Sequence, residues 1–231
     1  MDDQYQTELS NNVWFSKLPL QFQDYIQTHS TIRSFDKDQT IFYSGDAFNG
    51  IYAVLEGSVY LGYVNIQGKQ AVSAIVEPIM WFGEISLVDQ QPRSHDAIAL
   101  QKTMILYLSA QHIQNLIQTH PEFWFHIAQL TSQKLRYAFM ELMAIQTQSL
   151  GQRLAQRLLI ILNGYGNHLN IEHWDIHLSQ EQLAHMMMCS RQTINQELQQ
   201  LEKLGVLKIA FKKIQILDVS ALEKISRDQS E

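Results

Sequence analysis

Cysteine is nearly absent. Cys189 is the only one in 231 residues, so no disulfide can form within the chain. That usage fits a reducing compartment, and a cytoplasmic location is expected. A single cysteine also excludes a cysteine-ligated iron–sulfur cluster built by one chain. No run of about 18 apolar residues occurs, so no membrane span is expected. The opening MDDQYQTELSNN is acidic and polar, unlike a secretory signal. No nucleophile–base motif and no phosphate-binding P-loop is visible, which leaves an enzyme without support. Internal repeats and low-complexity segments are missing as well. An excess of positive charge is also lacking. Residues 1–149 hold 8 Lys+Arg and 14 Asp+Glu, net −6, and residues 150–231 hold 9 and 9, net zero.

What is present suffices for buried cores, with 45% hydrophobic residues, and the length suggests two domains. The most informative stretch runs from Leu178 to Leu204. Ser179 and Gln182 form a Ser-x-x-Gln capping box at a helix start. Leu183, Ala184 and Met187 follow at helical spacing. Ser190 offers a second N-cap. Ile194, Leu198, Leu201 and Leu204 then give a one-sided apolar stripe, and Gly205 stands where a helix would stop. The pattern predicts two short helices joined by a tight turn.

The opposite face of the second helix carries Arg191, Gln192, Asn195, Gln196 and Gln199. These side-chain types read base edges in the major groove, Arg at guanine and Asn or Gln at adenine. Ser190 and Thr193, in the first turn, suit phosphate contacts. The stretch VLKIAFKKIQILD reads as a β-hairpin wing with Lys212 and Lys213 at its tip. Ser179 and Gln180 complete the candidate DNA-binding set. Because this half is electrically neutral, its affinity must come from local placement of Arg191, Lys208, Lys212 and Lys213, from base contacts and from pairing of two subunits.

The remainder is read in order. Residues 12–29 suggest one or two short helices broken at Pro19. From Thr31 the period changes to short β-type runs: Thr31–Phe35, Thr40–Tyr43, Ile51–Leu55, Val59–Val64, Ala71–Val76, Ala97–Leu100 and Met104–Leu108. Gly-containing turns separate several of them, including Asn49-Gly50 and Gln67-Gly68-Lys69. Such regular short strands indicate an antiparallel sandwich, roll or barrel. Ala110–Thr119 reads as a short helix. Pro121, favoured at a first helical position, opens a long helix to about Thr147. Its apolar surface is broad: Ala128, Leu135, Ala138, Leu142 and Ile145 form one row, widened by Phe123, Ile127, Leu130, Phe139 and Met143. A face this wide covers its own domain on one side and a partner on the other. Ser149-Leu150-Gly151 reads as a hinge before a helix over 152–162. Residues 168–171 and 174–178 read as two short strands.

Within the β-rich half, Phe82-Gly83-Glu84-Ile85-Ser86-Leu87 is followed by Gln91-Pro92-Arg93-Ser94. Gly83 permits close approach of backbone to a ligand. Amides from Gly83 to Ser86 start a helical turn that can hold a phosphate. Arg93 can grip the same phosphate with a rigid fork, Ser94 can add a hydroxyl, and Glu84 can accept from a ribose hydroxyl.

FGEISLVDQQPRS resembles the phosphate-binding cassette of cyclic-nucleotide-binding domains. Together with the long helix and CSRQTI, the chain resembles the cyclic-AMP receptor protein/FNR superfamily of bacterial transcription regulators, from about Val13 to Asp218. The resemblance implies an α+β fold with three parts. Residues 1–119 would form an antiparallel β-roll effector domain, 120–148 a dimerisation helix and hinge, and 149–231 a winged helix-turn-helix. It implies a homodimer on a palindromic operator in double-stranded DNA, RNA polymerase as a further partner, and allosteric control by a small effector. No cofactor is required; cyclic AMP or another cyclic nucleotide is the candidate effector. In the family, hydroxyl side chains on the dimer helix meet adenine. Here those positions fall at Ala138 and Phe139, so the base end of the pocket is altered. His95 stands where a small alanine is usual, Gln192 and Gln196 replace an acidic and a basic residue, and Met188 takes a turn position usual for Gly. Two alternatives stay open: a ligand-independent regulator of the same fold, with Arg93 paired to Glu84 or Asp96, and a nucleotide-sensing module whose winged helix binds protein. The nine histidines invite a metal site, but His173, His177 and His185 fit no compact zinc spacing, and no metal is expected.

Overall fold

The computed structural model describes residues 9–64, 70–76, 78, 80–164, 174–210 and 213–227. The chain forms two compact units. One takes in the described residues up to Lys134 and the other those from Leu135.

The first unit opens with α1 (Val13–Ser16) and α2 (Leu20–His29), separated at Pro19. Eight strands follow: β1 (Thr31–Phe35), β2 (Thr40–Phe42), β3 (Gly50–Glu56), β4 (Val59–Val64), β5 (Gln70–Val76), β6 (Trp81–Phe82), β7 (Asp96–Ala99) and β8 (Thr103–Ser109). They build two four-stranded antiparallel sheets, β1-β8-β3-β6 and β2-β7-β4-β5. The expected strands therefore exist, within a residue or so at each end. The two-residue β6 was not foreseen, being too short to show a period. Against the first sheet lies an aromatic core. Trp14 meets Trp81 edge-on at 5.2 Å, Phe15 stacks on Trp81 at 6.0 Å, and Phe22 meets Phe123 at 5.1 Å. All five rings are buried. The helix α3 (Ile85–Asp89) lies in the connection from β6 to β7, which carries the chain from one sheet to the other. The cassette is therefore anchored in both sheets.

α4 (Ala110–Thr119) leads into α5 (Phe123–Thr147), a helix of 25 residues. It begins two residues after Pro121, because His120 to Glu122 form a preceding turn whose carbonyls accept from the amides of Phe123, Trp124 and Phe125. Its first half is buried at Phe123, Ile127 and Leu130. In its second half Ala144 is buried, but Leu135, Phe139, Leu142, Met143 and Ile145 are each about half exposed.

In the second unit, α6 (Leu150–Leu162) starts at a capping box of Ser149 and Gln152. The expected hinge Ser149-Leu150-Gly151 falls at this helix start. Ser149 is a helix cap, and Leu150 and Gly151 are already helical. A Cβ at Gly151 would sit 2.9 Å from Glu197 Oε2, the tip of a side chain that can move aside. β9 (Asp175–Ile176) precedes α7 (Gln180–Met186) and α8 (Arg191–Lys203). β10 (Leu207–Ala210) and β11 (Lys213–Ile216) pair antiparallel, and β11 pairs with β9. α9 (Val219–Arg227) ends the described chain and was not anticipated. The strand expected over 168–171 and the turn Gln67-Gly68-Lys69 lie outside the described residues. No helix among the described residues is long and apolar enough to cross a membrane.

Candidate functional site

Two groups of residues carry chemistry, one in each unit. In the first, Gly83 has φ +90, and an added Cβ would lie 3.1 Å from both Arg93 Nη1 and Tyr52 Cδ2. Only glycine fits this approach. The Arg93 side chain turns inward and is almost fully buried. Nη1 donates to the Gly83 carbonyl at 2.6 Å, and Nη2 donates to Asn49 Oδ1 at 2.6 Å and the Gly50 carbonyl at 2.7 Å. Its Cζ lies 4.3 Å from the Phe42 ring centre and 5.1 Å from that of Phe48. Asn49 Oδ1 accepts from Tyr52 Oη as well, at 2.7 Å. Burial pulls the Arg93 guanidinium below its usual value while Tyr52 and Glu84 oppose this. The arginine stays charged, since its intrinsic value is so high.

Glu84 is fully buried at the start of α3 but makes no capping bond. Its Oε2 accepts from Lys134 Nζ at 2.6 Å. The alternative in which Arg93 pairs with Glu84 or Asp96 is therefore corrected. Glu84 takes a lysine from α5, Arg93 donates to two carbonyls and an amide oxygen, and Asp96 Oδ1 accepts from the Ser44 amide at 2.8 Å. The Gly83 and Gly50 carbonyls and Asn49 Oδ1 take the guanidinium's hydrogen bonds in place of either carboxylate. Three polar atoms of this group are buried with no hydrogen-bond partner among the described residues: Glu84 Oε1, Arg93 Nε and His95 Nε2. His95 Nδ1 sits 2.9 Å from Ser94 Oγ. Burial, then the Lys134 and Arg93 cations, hold the His95 imidazole below its ordinary value, against Glu84 and Asp96. Ser86 is buried, while Ile85 and Ser94 are exposed. The structure thus gathers Gly83, Glu84, Ser86 and Arg93 with Lys134 and Asn49, two residues the sequence reading missed. Lys134 stands four residues before Ala138, one helical turn away, which was the available signal. Ala138 and Phe139 are exposed on α5.

In the second unit, the expected apolar stripe is buried at Ile194, Leu198 and Leu201. Leu204 departs from it. It is the C-cap residue, beyond the last turn of the helix, and is 69% exposed. Both caps form as expected: Ser179 Oγ accepts from the Gln182 amide at 3.2 Å, and Ser190 Oγ from the Thr193 amide at 3.1 Å. Met188 holds the turn with φ +53 and is 79% exposed. The turn keeps its left-handed residue despite the side chain. Arg191, Gln192, Gln196 and Gln199 are exposed, while Asn195 is half-buried and accepts from Gln180 Nε2 at Oδ1, 3.0 Å away. Ser179, Gln180 and Arg191 line a cleft of about 280 Å³ with Ile209 and Ala210 of the wing. Lys213 is paired to Asp175 at 2.6 Å. Lys212 lies outside the described residues. Among the described residues, no group of three or more His, Cys, Asp or Glu side chains gathers in a way that could hold a metal ion.

Comparison with known proteins agrees with this geometry. Residues 32–120 match the cyclic nucleotide-binding domain family, and residues 152–225 match the Crp-like helix-turn-helix domain family. The Cyclic AMP receptor protein of Thermus thermophilus is 30% identical over 195 residues, covering 84% of this chain and 87% of that protein. The Global nitrogen regulator of a Synechocystis species is 26% identical over 199 residues, with the same coverage of 84% and 87%. A solved CRP/FNR-family transcriptional regulator from Thermus thermophilus is 26% identical, with a TM-score of 0.65 over 86% of this chain and 99% of that one. Its two domain matches, its α+β fold and its relatives, which are regulators rather than enzymes, place one conclusion beyond the site itself: the chain belongs to the cyclic-AMP receptor protein/FNR family of transcription regulators.

Proposed function

We propose that the protein is a homodimeric, sequence-specific DNA-binding regulator in the cytoplasm, controlled by a small effector held at Gly83, Glu84, Ser86 and Arg93. The observation that carries the DNA reading is the exposed surface of α8. Arg191, Gln192, Gln196 and Gln199 stand outward from a helix whose other face is buried at Ile194, Leu198 and Leu201. A rigid helix presenting unpaired amides and a guanidinium is suited to the major groove. The half-exposed row Leu135, Phe139, Leu142, Met143 and Ile145 supports a second copy packed along α5. Two copies would present two recognition helices to a palindromic operator, and RNA polymerase would be the further partner of the bound dimer.

For the effector, the buried and unpartnered Glu84 Oε1, Arg93 Nε and His95 Nε2 favour a polar ligand with both donors and an anionic group, such as a cyclic nucleotide. Cyclic AMP is the first candidate, since the Thermus relative carries it in its name. A second reading has its own observation. Arg93 already donates to three oxygens and Glu84 already accepts from Lys134, an arrangement that suits a regulator acting without effector. Calorimetry with cyclic AMP and cyclic GMP separates the two. Heat and a raised Tm with either nucleotide support the effector reading; neither signal at millimolar ligand supports the ligand-independent one. The DNA reading is tested by selection from random duplexes followed by anisotropy. A protein indifferent to every sequence would instead be a protein-binding module.

A further inference from the structure

We infer that His95 is a further binding residue of the effector site, taking up one proton as an anionic effector enters and donating it from Nε2 to that effector. The inference rests on the reading of Gly83, Glu84, Ser86 and Arg93 as that site and deepens it. His95 stands two residues after Arg93, directly before β7. Its ring centre lies 5.9 Å from that of Phe42, and Arg93 Cζ lies 4.3 Å from the same Phe42 centre. The imidazole and the guanidinium thus share one aromatic neighbour. The two ring nitrogens differ in their surroundings. Nδ1 lies 2.9 Å from Ser94 Oγ. A serine hydroxyl both donates and accepts, so this contact survives whether the ring is neutral or charged. Nε2 is enclosed and has no hydrogen-bond partner among the described residues. A buried nitrogen left so costs free energy until a ligand atom completes it.

Charge decides which ligand atom that is. The cations acting on the ring are Lys134 of α5 and Arg93. The anions are Glu84, at the N-cap of α3, and Asp96, the first residue of β7. Two charges of each sign cancel, so a neutral imidazole leaves this group balanced. Burial, and then the two cations, favour that neutral ring in the free protein. A cyclic phosphodiester brings one negative charge into the balance. Arg93 and Lys134 are already cationic, so among these side chains only His95 can add positive charge by taking a proton. A nearby anion favours the protonated imidazole, in which both nitrogens donate. A phosphate oxygen then supplies the acceptor that Nε2–H lacks, in a charge-assisted hydrogen bond.

Cyclic AMP and cyclic GMP are the probes, since their phosphodiester keeps its single charge near neutral pH. Calorimetry of the full-length wild type is run in two buffers of different ionisation enthalpy. A proton drawn from the buffer appears as a difference between the two heats. Net uptake is expected. Affinity is expected to fall as pH rises from about 6.5 to about 8, by at most about tenfold per pH unit for one proton. His95→Gln keeps an amide at this place but cannot take up the proton. It is expected to abolish the uptake and level the pH profile. A loss of packing alone would weaken binding equally at every pH and leave the uptake in place. If His95→Gln does not fold, His95→Asn replaces it, and the wild-type heats still decide whether a proton is taken up. A wild type that binds neither nucleotide would sink the effector reading and this inference with it. Binding without proton uptake, or with an affinity that stays level across this range, overturns the role of His95 alone. So does an uptake that persists in the His95 variants.

Discussion

Lys134 Nζ lies 2.6 Å from Glu84 Oε2, and the Glu84 side chain is buried to 1% exposure. A carboxylate taken out of water at this depth needs a partner, and the partner comes from a helix fifty residues further along the chain. Removing one member of a buried pair typically costs about 3–5 kcal/mol, because the other charge is left alone. Lys134 keeps 30% exposure, so water softens the loss. Lys134→Met is expected to destabilise the first unit by about 1–3 kcal/mol in urea denaturation. Adding Glu84→Gln should recover most of that. Additive losses in the double variant would show that the two side chains do not depend on each other.

His95 gives the pocket a pH dependence of known sign. Burial and the neighbouring cations hold its imidazole low, so the folded chain refuses a proton that the unfolded chain takes up near pH 6.5. Its contribution to stability is complete above that pH and is lost as pH falls from about 6.5 toward the lower folded-state value. Wild type should therefore lose more stability between about pH 7 and 5.5 than His95→Gln does. Equal losses in the two proteins would show that His95 is not the group responsible.

Much of this architecture was legible because its signals are local. The capping pairs Ser179–Gln182 and Ser190–Thr193 sit three residues apart, and both formed. The strands Thr31–Phe35 and Val59–Val64 match their β-type runs. What escaped is what depends on distant residues. Nothing in the spacing of 50 residues between Glu84 and Lys134, or 44 between Asn49 and Arg93, announces a contact. The same holds for Gln180 and Asn195, which meet only because α7 packs on α8. Gly151 shows a further limit: glycine beside a serine gives no local sign of a helix, yet it is the second residue of α6.

Met188 tests how strictly the turn between α7 and α8 demands its left-handed residue. At φ +53 a non-glycine side chain costs about 1–2 kcal/mol, while glycine loses about 0.4–1 kcal/mol through the freedom of the unfolded chain. Its side chain is 79% exposed, so little packing is at stake. Met188→Gly is expected to stabilise the second unit by about 0.5 kcal/mol, the difference between those effects. Met188→Val, with a branched Cβ that tolerates positive φ poorly, should destabilise it by about 1 kcal/mol. A Tm order other than Gly above Met above Val would mean that the turn relaxes away from this backbone angle.

Lys213 bears on how the wing contributes to DNA affinity. Its ammonium lies 2.6 Å from Asp175 Oδ2, with the two side chains 38% and 23% exposed. A lysine that neutralises one phosphate contributes about 0.9 to the slope of log affinity against log salt. Lys213 has already met its counter-charge, so Lys213→Ala should change that slope by clearly less than one contact. Asp175→Asn keeps the shape of the side chain and removes the competing charge. It should steepen the slope by up to about 0.9 per subunit and tighten binding to duplexes of any sequence at low salt. Base preferences should stay as they are, because phosphate contacts position the protein without reading sequence. A full one-contact loss in Lys213→Ala, with no gain in Asp175→Asn, would show that the lysine leaves Asp175 for the DNA backbone on binding.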